Sequence, residues 1–240
     1  LPDPHTFPLE RLAAVGRQTE QLVRNTEQFL RGRPANNVLL SGARGTGKSS
    51  LVKAMLHRYA GEGLRLVEVD KSDLAALPAL LTILQRRPEK FIVFCDDLSF
   101  EEGESSYKAL KTALDGGLSQ RAANVLVYAT SNRRHLMPEY LDENGGHTGS
   151  RGEIHQGEAV EEKISLSDRF GLWLSFYPFD QNDYLKAVAN WLEYYGVDFD
   201  DTAQRAALNW SQMRGGRSGR VAWQFACDWA GRLPEERALD

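Results

Sequence analysis

Eight consecutive residues, Gly42-Ala43-Arg44-Gly45-Thr46-Gly47-Lys48-Ser49, have the types and spacing of a polyphosphate-binding loop, G-x-x-x-x-G-K-S. Its glycines let successive backbone N–H groups converge on an anion with no Cβ in the way. A helix that starts directly after the loop adds the partial positive charge of its N-terminus. Lys48 is long enough to reach β- and γ-phosphates, and the Ser49 hydroxyl is a ligand for Mg²⁺. Ser50 completes the stretch expected to line the phosphates. The competing reading, an ordinary glycine turn, requires neither the lysine nor the hydroxyl. A bound nucleoside triphosphate is therefore expected here.

Two further clusters suit the same chemistry. Phe91-Ile92-Val93-Phe94-Cys95 runs into Asp96-Asp97, so an apolar strand delivers a carboxylate to its carboxyl end, where open α/β sheets bind ligands. Alone, such an ending is ordinary strand capping; downstream of a phosphate loop it suits Asp96 to Mg²⁺. Val125 to Thr130 is a second apolar run, and it ends in Ser131-Asn132. The Asn132 amide is placed to orient an attacking water, although asparagine also starts many turns.

These groups need a scaffold, and the hydrophobic pattern supplies one. Strands are expected at about 37–41, 64–69, 91–95, 124–130 and 172–177. Helical stretches separate them: from about Gln18 to Leu30, from the loop to Tyr59, from Lys71 to Arg87 with an interruption at Pro78, and along Tyr107, Leu110 and Leu114. Gly116-Gly117 reads as the stop of the last. Residues 142–158, rich in Gly and charge, read as a long mobile loop. After Pro178 only helices are expected: one with Tyr184, Leu185, Val188, Trp191, Leu192 and Tyr195 on its face, one over 201–213, and one over 218–229. Strands alternating with helices, then helices alone, imply an α/β core over 1–177 and a small helical lid over 178–240.

Composition adds exclusions. With 42% hydrophobic and 26% charged residues, the chain is that of an ordinary globular protein. A net charge of −4 gives no general attraction to nucleic acid or an anionic membrane. The basic clusters Arg31/Arg33, Arg133/Arg134 and Arg214/Arg217/Arg220 remain as local contact points. No run approaches membrane-spanning length and no secretory signal opens the chain, so a cytoplasmic location without membrane contact is expected. Cys95 and Cys227 both lie in apolar surroundings and are expected as buried, reduced thiols.

The order of these parts resembles the AAA+ ATPases, over nearly the whole chain from Leu12 onward. Within that superfamily it is most similar to a bacterial family of AAA-type ATP-binding proteins carrying a domain of unknown function. The segments Asn36–Leu40, Cys95–Gly103, Ala129–Leu136 and Ile164–Gly171 carry that closer likeness. The resemblance implies a five-stranded parallel sheet between helices, with a helical lid. It identifies Gly42 to Ser49 as Walker A, Phe91 to Asp97 as Walker B, and Asn132 as sensor 1. Arg169 looks like an arginine finger acting on a neighbouring subunit, and Arg220 like sensor 2, with Arg217 as the second candidate. The Val15-Gly16 turn sits where these proteins cradle adenine.

Two departures from the family pattern refine the expectation. The usual Asp-Glu ending of Walker B is Asp96-Asp97 here, so Asp97, Glu101 or Glu102 would have to position the water. The aromatic pore loop of protein-threading relatives has no counterpart in Asp70-Lys71-Ser72-Asp73-Leu74. The resemblance thus implies an Mg²⁺-dependent ATPase in a head-to-tail ring or helical homo-oligomer, acting on a protein or nucleic-acid client. The alternative is a nucleic-acid-associated ATP switch of the initiator or loader type with slow hydrolysis. A small-molecule kinase is a third reading, disfavoured by the lid, Asn132 and Arg169.

Overall fold

A computed structural model describes residues 8–99, 105–115, 123–132 and 166–237. The strands are β1 (Val38–Gly42), β2 (Leu64–Glu68), β3 (Lys90–Cys95), β4 (Val125–Ser131) and β5 (Leu172–Phe176). Helices α1 (Gly16–Leu30), α2 (Lys48–Tyr59), α3 (Leu77–Leu84) and α4 (Ser105–Asp115) fall between or before them. After β5 come only α5 (Gln181–Tyr194), α6 (Asp201–Met213), α7 (Gly219–Gly231) and the short α8 (Pro234–Arg237). The strands form one five-stranded parallel sheet in the order β2-β3-β4-β1-β5. Every residue of β4, and all of β3 after Lys90, is buried. Strands covered on both faces select continuous apolar runs rather than alternation, which is why these two read so clearly in the sequence.

Register explains how the chemistry is displayed. Cys95 pairs with Ala129, and Leu40 and Ser41 pair with Thr130 and Ser131. All three strands run the same way, so β1 hands on to the glycine loop, β3 to Asp96 and β4 to Asn132 from one edge of the sheet.

The chain divides into two compact units. One comprises Gln21–Gly42 and Tyr59–Ser175 and contains the sheet. Its main core gathers Leu39, Val93, Cys95, Val127 and Ala129 of the sheet with Leu74, Leu77, Leu84, Tyr107, Leu110 and Leu166. A buried polar cluster fixes α1 here. The Asn25 amide donates to the Asn36 carbonyl (2.9 Å) and the Tyr128 hydroxyl (3.1 Å), and Thr26 shares a 2.9 Å bond with that hydroxyl. Burial pushes the Tyr128 phenol up to about 12.

The other unit comprises Leu1–Glu20, Ala43–Arg58 and Phe176–Asp240. Its core holds Phe179, Tyr184, Val188 and Leu192 with Ala203, Ala207, Phe225 and Trp229. Three carboxylate or hydroxyl caps start its long helices: Asp180 accepts from Asp183 N–H, Asp200 from Ala203 N–H and Ser218 from Val221 N–H.

Several expectations shift. Pro78 does not interrupt a helix: a 3₁₀ turn over Lys71–Ala76 precedes α3, and Pro78 stands in its first turn, where its missing N–H costs no hydrogen bond. Helix α1 begins at Gly16 rather than near Gln18, because the turn falls at Ala14, with φ 61°, two residues before Gly16. Cys95 is buried, its thiol raised to about 12, whereas Cys227 is only half-buried and lies 3.2 Å from the Tyr195 hydroxyl. The α8 turn was not expected. Gly116-Gly117, Arg133, Arg134 and the loop over 142–158 lie outside the described residues.

Candidate functional site

The candidate residues fall into two sets, one in each unit. Around the glycine loop the structure brings together backbone, lysine and the α7 N-terminus. Gly45 and Gly47 take φ 72° and 94°, left-handed values that glycine adopts without a Cβ penalty. Thr46 Oγ1 donates to the Ala43 carbonyl at 2.8 Å, closing the loop on itself. Lys48 starts α2 and is 6% exposed; its Nζ donates to the same Ala43 carbonyl at 2.6 Å. The ammonium is thus held over the loop that it would serve. Ser49 and Ser50 follow in the first turn of α2, both half-buried, and Arg44 is exposed.

The α7 N-terminus meets this loop directly. Gly219 N–H donates to the Gly45 carbonyl at 2.8 Å. The Cβ and Oγ of Ser218 stand 2.9 Å from where a Gly45 Cβ would lie, and Arg220 Cβ stands at 3.6 Å. Arg220 is therefore anchored beside the loop with an exposed side chain, while Arg217 reaches the Gln181 side chain at 3.4 Å. On the N-terminal side, Leu12 lies 3.5 Å from where a Gly47 Cβ would stand, Val15 is buried and Gly16 is exposed.

The second set surrounds the two aspartates. Asp97 is a non-glycine residue with φ 50°, a conformation that aspartate tolerates better than most because its short carboxylate bonds locally. Asn132 Nδ2 donates to Asp97 Oδ1 at 2.5 Å. Thr130 Oγ1 donates to Asp96 Oδ1 at 2.5 Å and accepts from Asp97 N–H at 2.9 Å. Asp97 N–H also approaches Asp96 Oδ1 at 3.1 Å. Farther along, Leu98 N–H donates to the Thr130 carbonyl and Ser131 Oγ to the Leu98 carbonyl, both at 2.7 Å. The 96–98 segment is thus stitched to the end of β4. Thr130, Ser131 and Ser218 are site residues that motif reading passed over; the only signal was their position flanking Asn132 and Arg220.

Arg169 lies in this unit too. Its Nε makes a 2.5 Å ion pair with Asp115 at the end of α4, with the side chains 25% and 46% exposed. Glu101 and Glu102 lie outside the described residues.

The donor set suits Mg²⁺. Among the described residues no three His, Cys, Asp or Glu side chains gather into a metal cage. Mg²⁺ does not require one, since it takes one or two protein oxygens together with substrate phosphates and waters. Each unit offers one oxygen donor of that kind, the Ser49 hydroxyl in one and the half-buried Asp96 carboxylate in the other.

Comparison with known proteins bears on the family and the fold. Residues 1–233 match the family described as protein of unknown function, DUF815. No curated protein matches the sequence. Among solved structures, the Thermotoga maritima RuvB Holliday junction branch migration motor aligns with TM-score 0.60 at 17% identity, over 97% of this chain and 70% of that one. The Aeropyrum pernix ORC1 protein, solved in complex with DNA, gives 0.60 at 17%, over 93% and 60%. The FIGL-1 AAA domain, solved with ADP, gives 0.59 at 17%, over 95% and 74%. At such identities these likenesses show the fold, which is that of the AAA+ P-loop domains.

Proposed function

The chain belongs to the DUF815 family, and from its AAA+ fold and site we propose that it binds ATP with Mg²⁺ and hydrolyses it to ADP and phosphate. The observation that carries the reading is the complete phosphate loop, Gly42 to Ser49, folded as a strand–loop–helix with Lys48 held over it. The loop amides and Lys48 bind the β- and γ-phosphates, and Val15 and Gly16, where α1 begins, contact the base. Ser49 and Asp96 would hold Mg²⁺, which supplies charge neutralisation on the β- and γ-oxygens. Asp97 and Asn132, already hydrogen-bonded to each other, orient the attacking water. Its oxygen bonds to the γ-phosphorus as the bond to the β–γ bridging oxygen breaks and ADP leaves. Arg220, carried on α7 beside Gly45, reports the phosphate to the lid over 178–240.

Arg169 completes the reading as a finger offered to a second copy in a head-to-tail assembly. Such contacts close into rings or continue as helices. A finger in trans raises phosphoryl-transfer rates by about 10³–10⁵. Nucleotide-dependent lid motion would then remodel a protein or nucleic-acid client. The test is a mixing experiment. Arg169→Ala should bind ATP like the parent yet lose turnover, and Lys48→Ala should lose ATP binding. Mixing the two should restore part of the turnover, because each supplies what the other lacks. An inactive mixture, with assembly intact, would remove the trans role.

A further inference from the structure

Asp97 stands one methylene short of the glutamate usual at its position, and its backbone sits in the left-handed region, φ 50°. Such a conformation persists only where the surroundings hold it. Thr130 is the group that does so. It is 1% exposed, and its single hydroxyl works in both directions, donating its proton to Asp96 Oδ1 and accepting the Asp97 N–H. Through one oxygen it therefore sets the carboxylate of one aspartate and the main chain of the next. The adjoining bonds, Leu98 N–H to the Thr130 carbonyl and Asn132 to Asp97, extend the same seam on either side. Because Cys95 pairs in register with Ala129, the seam continues the β3–β4 ladder past the end of β3.

We propose that Thr130 is a positioning residue for the metal and for the attacking water. It fixes the Asp96 carboxylate through Oδ1 and holds Asp97 in the left-handed turn that aims its short carboxylate. This rests on the ATPase reading above. Groups that orient a metal ligand in this way commonly account for about 10–100-fold in metal affinity or activity. A bond that served folding alone would move the melting temperature and leave both of these unchanged.

The experiment uses the whole chain with Thr130→Val, which keeps the shape and removes the hydroxyl, and with Thr130→Ser, which keeps it. Mn²⁺ affinity is read by electron paramagnetic resonance in the presence of a non-hydrolysable ATP analogue. Analogue binding is also measured in EDTA, and turnover is split into kcat and KM. For Thr130→Val we expect metal-free analogue binding within about twofold of the parent, Mn²⁺ affinity weakened by about tenfold or more, and kcat lowered similarly at little-changed KM. Thr130→Ser should restore most of both. If the valine variant melts early, Thr130→Cys, with only a weak S–H donor, carries the same expectation. Parent-like Mn²⁺ affinity and kcat in these variants, or an equal loss in Thr130→Ser, would overturn the role of the hydroxyl and leave the ATPase reading standing. A parent that binds no analogue, or whose analogue binding survives Lys48→Ala, would overturn that reading and this inference with it.

Discussion

At the scale of single residues, the two aspartates differ in what their neighbours permit. Asp96 has one oxygen committed to Thr130, whereas Asp97 faces Asn132 and is exposed. Asp97→Asn keeps a residue that tolerates the left-handed backbone, so folding and ATP binding should be unchanged while phosphate release falls by about a hundredfold, within the range for positioned acid–base groups. Unchanged turnover would rule Asp97 out and leave Glu101 or Glu102. Asp97→Val should instead destabilise the fold by about 1–3 kcal/mol in urea titration, because a β-branched residue resists positive φ. Motif reading found Asp96, Asp97 and Asn132 from their strand-end positions. It could not find Thr130 or the φ of Asp97, because these depend on the β3–β4 register, which brings together positions more than thirty apart in sequence.

At the scale of elements, the phosphate loop and the α7 N-terminus behave as one device. Gly45 serves two requirements: a φ of 72° and room for Ser218 at 2.9 Å. Gly45→Ala meets both penalties, the left-handed one alone costing about 1–2 kcal/mol, and should lower thermal stability and weaken ATP binding together. Ser218→Ala removes only the helix cap and should cost about 1 kcal/mol with ATP affinity nearly kept. Equal behaviour of the two variants would contradict the close-contact argument. In the sheet, Tyr128→Phe strips a hydroxyl shared by Asn25 and Thr26 and should cost about 1–3 kcal/mol, with α1 showing the largest loss of hydrogen-exchange protection. Strands β3 and β4 were readable as apolar runs because they are buried on both faces, and β2 was readable from its alternation. Pro78 misled because proline is equally at home in a first helical turn and in a break, and only the packing of Leu74 and Leu77 decides.

At the scale of the whole molecule, the fold class was legible because the glycine loop and the strand–helix alternation are local patterns. What the chain acts on was not, because client and assembly surfaces carry no comparable motif, and the Arg169–Asp115 pair concerns one chain alone. The two thiols offer a check on the packing: Cys227 should react with a thiol reagent in the native protein, and Cys95 only on unfolding. The central claim, that ATP is hydrolysed at the Gly42–Ser49 loop by assembled copies, is tested most directly by phosphate release from Mg²⁺–ATP across a protein concentration series. The account predicts that specific activity climbs with concentration for the parent and stays at background for Lys48→Ala. Background activity of the parent at every concentration, or equal activity of the two proteins, would contradict it.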